Sequence, residues 1–292
     1  MYRAEKLYKK IDTLIPDSEI WPVCIPSYNR PNATALRRLY EQPGVPVYLF
    51  VRKEQYEDYK QYADRFHIVK LNNVHNLGET RNAIVRYCWR KGMGNIFMID
   101  DDVDWLDFIL PSTTSKGTPA MRPWSTVSGK NSTLNKYAFK MWQYLISDHL
   151  DEVMVSGPHF KRFCWALKFA DAQPRYNVGI PIQCVHLNLE MMKEYDINYL
   201  SNDVCGVEDY ALIYAGYTNG LRSLLVPDII YSAPAVGSGE GGCDFSQDIN
   251  NRRVQLFMKN VVRPEDAHKF TTKISTSGMF SVKFKTEEFR VE

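Results

Sequence analysis

Short apolar runs at residues 21–26, 46–51, 66–71 and 95–99 punctuate the first hundred positions of the chain. Each is too short and too continuously hydrophobic for an amphipathic helix and reads as a buried strand. Between them, residues 32–41, 54–65 and 79–91 carry apolar positions at helical spacing. Strands alternating with helices call for right-handed crossovers and a parallel, doubly wound sheet with helices on its faces.

The pattern changes after Asp104. Residues 111–134 are rich in Ser, Thr, Pro, Gly and Lys and show neither period. A long polar loop of this kind is a lid, an acceptor-binding element or a disordered excursion. A helix is then expected over 134–150 and strands over 153–156, 163–169 and 182–187. Acidic residues open a helix over 206–217, and a strand follows at 224–231. A glycine-rich loop at 237–242 leads to a last helix over 247–262. No internal repeat is present.

With 292 residues, 45% of them hydrophobic, the chain can bury a core as one large domain or one domain with a subdomain. Lys plus Arg number 36 and Asp plus Glu 34, so binding to a polyanion requires a local patch. The six cysteines form no CxxC pair, which argues against a zinc ribbon and a disulfide framework and for reduced thiols. Residues 1–14 are charged throughout, and nowhere do about 18 apolar residues run together. These features predict a cytoplasmic protein without membrane association.

Four clusters could carry chemistry. Asp100, Asp101 and Asp102 stand directly behind the apolar run Asn95–Ile99, where parallel sheets bind ligands. Three adjacent carboxylates repel one another unless a cation neutralises them or a turn splays them into water. Alternate residues leaving a strand point the same way, so Asp100 and Asp102 can converge on a hard cation such as Mg²⁺ or Mn²⁺ while Asp101 faces elsewhere. An acidic cap, with Asp104 and Asp107 close behind, is the plainer alternative. Around Asn76 to Asn82, Gly78 permits close backbone approach to a phosphate and Arg81 offers a bidentate contact; an ordinary helix start also fits. Pro26, Ser27, Tyr28, Asn29, Arg30 and Pro31 end the first strand, either gripping a nucleobase or capping the next helix. Glu208 and Asp209 open the 206–217 helix, as a general base or as dipole-stabilising acids.

In this order and spacing, CIPSYNRP at 24–31, NLGETRNAI at 76–84, NIFMIDDDV at 95–103 and GVEDYALIYAGYTNG at 206–220 resemble the GT-A glycosyltransferases. More narrowly, the set is similar to the bacteriophage and TET-associated glycosyltransferases, which modify hydroxymethylated pyrimidines in DNA. The resemblance spans residues 20–235 and implies a Rossmann-like mixed α/β sheet, mostly parallel in its N-terminal half. Residues 1–110 would form the nucleotide-sugar-binding half, 111–134 a flexible loop, 135–245 the acceptor and catalytic half, and 246–292 a helical and tail extension.

The resemblance further implies that Asp100 and Asp102 hold Mn²⁺ or Mg²⁺ and, through it, the diphosphate of a UDP-sugar. Pro26, Ser27, Tyr28 and Arg30 would line the uridine pocket, Gly78, Arg81, Asp100 and Asp101 would lie along the donor, and Glu208 or Asp209 would face the acceptor. One departure stands out. Many GT-A enzymes supply a metal-binding histidine shortly after the strand at 224–231, where this chain has Ser232, Ala233 and Pro234.

The acceptor implied is 5-hydroxymethylcytosine in double-stranded phage DNA, which would place the protein in an infected bacterial host cell. Arg252, Arg253, Lys259 and Arg263, with Lys161, Arg162 and Arg175, could meet phosphates, or be ordinary solvated cations. Trp124 or Trp165 could support a flipped base. The sugar, the anomeric outcome and the oligomeric state are left open. A polysaccharide or protein acceptor, or a non-catalytic nucleotide- or nucleic-acid-binding module, are the alternatives.

Overall fold

All four apolar runs of the first hundred residues are strands in the computed structural model, which describes residues 3–128, 134–160, 174–176, 183–201, 207–234, 246–274 and 280–285. Strands β1 (Val23–Ser27), β2 (Val47–Arg52), β3 (His67–Leu71) and β4 (Asn95–Ile99) lie in the parallel order β3-β2-β1-β4. Helices α1 (Arg3–Tyr8) and α2 (Ile11–Leu14) precede them, and α3 (Thr34–Tyr40), α4 (Tyr56–Tyr59) and α5 (Leu77–Arg90) connect them. The helix expected over 54–65 is instead α4 flanked by two 3₁₀ turns, Lys53–Gln55 and Lys60–Tyr62. Two tyrosine hydroxyls of this segment reach the end of β1 and the loop after it: Tyr59 meets Ser27 Oγ at 2.9 Å and Tyr62 donates to the Pro31 carbonyl at 2.8 Å.

The sheet continues into the second half of the chain, in a mixed sense. It is completed by β5 (Trp105–Thr113), β6 (Pro119–Pro123), β7 (Val153–Phe160), β8 (Arg175–Tyr176), β9 (Cys184–Asn188) and β10 (Arg222–Ser232). From β4 the order runs β9-β7-β10-β5-β6. Strand β9 is antiparallel to both β4 and β7, which leaves β7 and β10 pointing the same way as β4. The mixed α/β sheet, parallel through its N-terminal half, is the architecture expected from the sequence.

Two segments depart from the sequence pattern. Within 111–134, β5 and β6 pair as an antiparallel hairpin through a loop in which Gly117 takes φ 77°, and α6 (Trp124–Ser128) follows. This hairpin lies at the outer edge of the sheet and its tip is exposed on both faces, so no apolar alternation marks it. In the 246–292 extension, α10 (Gln247–Leu256) leads to a second sheet, β11 (Phe270–Ile274) against β12 (Phe280–Phe284). Phe270 and Phe284 meet at 4.9 Å and pack with Phe257 against Tyr214 and Tyr217 of α9 (Glu208–Thr218). The strand expected over 163–169 and the glycine-rich loop at 237–242 lie outside the described residues.

One face of the sheet is covered by α7 (Lys136–Ile146), the other by α5, α8 (Leu189–Glu194) and α9. Phe97 of β4 packs on Trp142 and Phe139 of α7 at 4.8 and 5.2 Å, each buried side chain being worth about 1.5–3 kcal/mol. Lys140 of α7, only 1% exposed, binds Asp12 and Asp17 and thereby fastens the N-terminal segment to the core. Among the described residues, no helix is long and apolar enough to cross a membrane.

Candidate active site

The acidic triplet sits in a turn that leaves the carboxyl end of β4, beside the carboxyl end of β1. Backbone bonds hold that turn on three sides. Asp100 N–H donates to the Gln183 carbonyl at 2.7 Å, the Asp101 carbonyl accepts from Ala35 N–H at 3.0 Å, and Asp104 N–H donates to the Ser232 carbonyl at 3.0 Å. Ser232, in the region where GT-A enzymes place a histidine, also donates its hydroxyl to Asp104 Oδ1 at 2.5 Å.

The three aspartates differ sharply. Asp101 is fully buried, with Oδ2 accepting from Ser27 Oγ at 2.6 Å and Oδ1 lying 2.6 Å from Arg30 Nη2. Burial pushes its pKa up to about 7 against the opposing pull of Arg30 and Ser27. Its carboxylate belongs to an internal network of Ser27, Tyr59 and Arg30 rather than facing a ligand at the surface. Asp100 and Asp102 keep 24% and 32% of their side chains open to solvent. Burial, reinforced by the charge of Asp100, raises the pKa of Asp102.

The residues expected around uridine divide similarly. Pro26 and Ser27 are buried within β1, while Arg30 is paired with Asp101 and, at 3.5 Å, with Asp102. Tyr28 is the open one, 41% exposed, with the Arg52 guanidinium 4.1 Å from its ring centroid. Arg52 is anchored by Nη2 donating to the His75 carbonyl at 3.2 Å. Asn29 takes φ 54°, a left-handed conformation that asparagine tolerates, and its N–H donates to Gln55 Oε1 at 3.2 Å. Arg52 and Gln55 were not legible as site residues, because no motif marks them.

Gly78 is not open to a phosphate. A Cβ there would stand 2.0 Å from the Leu200 carbonyl oxygen, so the glycine admits the backbone of this protein itself. The rest of the motif serves the same docking. Asn76 caps α5 by accepting from Glu79 N–H at 2.8 Å, and Asn82 exchanges two 2.8 Å bonds with the backbone of Tyr199. Ser201 Oγ donates to Glu79 Oε1 at 3.2 Å.

Arg81 is nearly enclosed, at 5% side-chain exposure. Nη1 bonds Asp209 closely and lies 3.4 Å from Glu208 Oε1, Nη2 lies 3.4 Å from Asp100 Oδ1, and the ring of Tyr199 is 5.4 Å away. The structure thus brings Asp100, Arg81, Glu208 and Asp209 together across the two halves of the chain. Burial, with Glu208 and Asp100 adding negative charge, pushes the pKa of Asp209 up to about 7 in spite of Arg81. Asp209 retains 14% side-chain exposure and Glu208 only 3%.

Two of the expected acceptor-side residues lie elsewhere. Trp124 is 4% exposed and packs on Phe108, Tyr8 and Tyr137, in the core. Arg253 is buried, whereas Arg175, Arg252, Lys259 and Arg263 are exposed. Lys161, Arg162 and Trp165 lie outside the described residues.

A divalent ion would find a partial cage. Among the described residues, no group of three or more His, Cys, Asp or Glu side chains is arranged to hold a metal. Asp102 Oδ1 is nevertheless buried without a hydrogen-bond partner, an oxygen suited to a hard cation. Asp100 and Asp102 fit a site completed by water and substrate oxygens.

The profile of the TET-associated glycosyltransferases matches residues 21–214, and the chain belongs to that family. No curated protein matches it. GalNAc-T7, solved with UDP, GalNAc and Mn²⁺, superposes with a TM-score of 0.48 at 11% identity, over 82% of this chain and 48% of that one. Mannose-1-phosphate geranyltransferase from Thermus thermophilus gives 0.38 at 10% identity, over 73% of this chain and 74% of that one.

Proposed function

We propose that this protein is a metal-dependent glycosyltransferase that moves a sugar from a UDP-sugar to the hydroxymethyl group of 5-hydroxymethylcytosine in double-stranded DNA. The reading rests on family membership together with one observation: the Arg81 guanidinium joins Asp100, in the half-buried acidic turn that also carries Asp102, to Asp209 at the start of α9. Asp100 and Asp102 would hold Mn²⁺ or Mg²⁺, which when bound would offset charge on the departing diphosphate. Tyr28, backed by Arg52, offers its ring to the uracil.

Asp209 rather than Glu208 is the better base, being the more exposed of the two. The acceptor hydroxyl oxygen would bond the anomeric carbon as that carbon's bond to the diphosphate breaks. The bonding pair leaves with UDP, and the hydroxyl proton passes to the Asp209 carboxylate. The exposed cations Arg252, Lys259 and Arg263 are the candidates for phosphate contacts.

Mass spectrometry of hydroxymethylcytosine DNA incubated with a panel of UDP-sugars and Mn²⁺ tests the reading. A mass increment of one sugar residue on that DNA, absent on unmodified DNA, is expected. Sugar transfer only to protein or polysaccharide would replace the acceptor, and no donor turnover at all would remove the enzyme.

A further inference from the structure

The motif at the start of α5 was expected to meet the donor, yet its side chains are spent inside the protein. Gly78 is filled by the Leu200 backbone, Asn82 grips Tyr199 through both of its amide atoms, and Glu79 bonds Ser201. All three fasten α5 to residues 199–201, which lie just ahead of Glu208 and Asp209 in the chain. Arg81 completes this fastening at the charged end. Both of its terminal nitrogens already face carboxylates, Nη1 those of Asp209 and Glu208 and Nη2 that of Asp100.

We propose that Arg81 acts in the reaction through Asp209, as a positioning residue, and not as a ligand of the donor phosphates. Its close bond to Asp209 fixes the carboxylate at the start of α9, while the looser 3.4 Å contact to Asp100 ties that placement to the donor turn. The ring of Tyr199, whose backbone is locked by Asn82, stands 5.4 Å from the guanidinium carbon. This inference rests on the glycosyltransferase reading and goes further, assigning Arg81 to the acceptor chemistry.

The test combines steady-state kinetics of UDP release with calorimetric UDP binding in the presence of Mn²⁺, on wild type, Arg81→Gln, Arg81→Lys, Asp209→Asn and the Arg81→Gln/Asp209→Asn pair. Expected are losses in kcat of about 100-fold for Arg81→Gln and Asp209→Asn, with UDP affinity within about threefold of wild type. The pair should be no worse than Asp209→Asn alone, because the two residues act as one unit. Arg81→Lys, which keeps the charge but loses the fork, should recover part of kcat. A tenfold or greater loss of UDP affinity at unchanged kcat, or losses that multiply in the pair, would overturn the assignment. If Arg81→Gln does not fold, Arg81→Lys decides: reduced kcat with intact UDP affinity supports the proposal, and the reverse sinks it. Wild type that neither binds UDP nor turns over a donor would instead sink the underlying reading.

Discussion

Adjacent aspartates in the acidic turn are expected to respond in opposite ways to substitution. Asp101→Ala removes two charge-assisted contacts at 2.6 Å, one from the Ser27 hydroxyl and one from Arg30. The first is a hydrogen bond to a charged group, worth about 1.5–3 kcal/mol, and the second is an ion pair whose loss leaves Arg30 without its partner. Two effects reduce the sum. The carboxylate no longer has to be desolvated, and Arg30, with 27% of its side chain exposed, can turn toward water or Asp102. The net loss should be about 2–3 kcal/mol, which for a chain of this size lowers Tm by roughly 5–10 °C. Asp102→Asn should cost less than about 1 kcal/mol, since that side chain is 32% exposed and its charge is disfavoured by burial and by Asp100. Thermal unfolding followed by circular dichroism separates the two, with Mn²⁺-stimulated UDP release measured alongside. Asp101→Ala should be unstable, whereas Asp102→Asn should be stable and inactive. Equal Tm values for Asp101→Ala and wild type would refute the structural assignment of Asp101.

Further outcomes follow from the same geometry. Gly78→Ala drives a methyl into the Leu200 carbonyl and should lower stability by about 1–3 kcal/mol, read by urea unfolding. Because Asp209 must be ionised to take a proton and its pKa is pushed up to about 7, kcat should rise as pH increases through that value, and the rise should vanish in Asp209→Asn. His186, fully buried and stacked on Trp21 at 4.8 Å, has its pKa lowered to about 3 by burial. Its contribution to stability is therefore complete above the unfolded value near 6.5 and is lost as pH falls toward 3. At pH 5 the loss should be about 2 kcal/mol, absent in His186→Phe, as chemical unfolding at pH 5 and 8 would report.

The parallel half of the fold was legible because β1, β2 and β4 are buried on both faces, which writes a continuous apolar run into the sequence. The β5–β6 hairpin was not, since its exposed tip carries no alternation to read. Position along the chain identified the acidic turn; the alternation expected of an extended strand does not apply there, because β4 ends at Ile99, the triplet turns, and Arg30 pairs with both Asp101 and Asp102. The interior roles of Ser27, Gly78 and Arg81 were hidden for a different reason. Each depends on a partner far away in sequence, Asp101, Leu200 and Asp209 respectively, and local spacing carries no record of such contacts. Tyr199 and Asn82 likewise had no signal beyond Asn82 standing beside Arg81.

The decisive experiment is a calorimetric titration of UDP into the full chain, with and without Mn²⁺, on wild type and Asp102→Asn. UDP should bind wild type only when the metal is present, and the variant, though folded, should bind at least tenfold more weakly. Metal-independent binding of equal strength in both proteins would show that the turn after β4 is not where the donor is held.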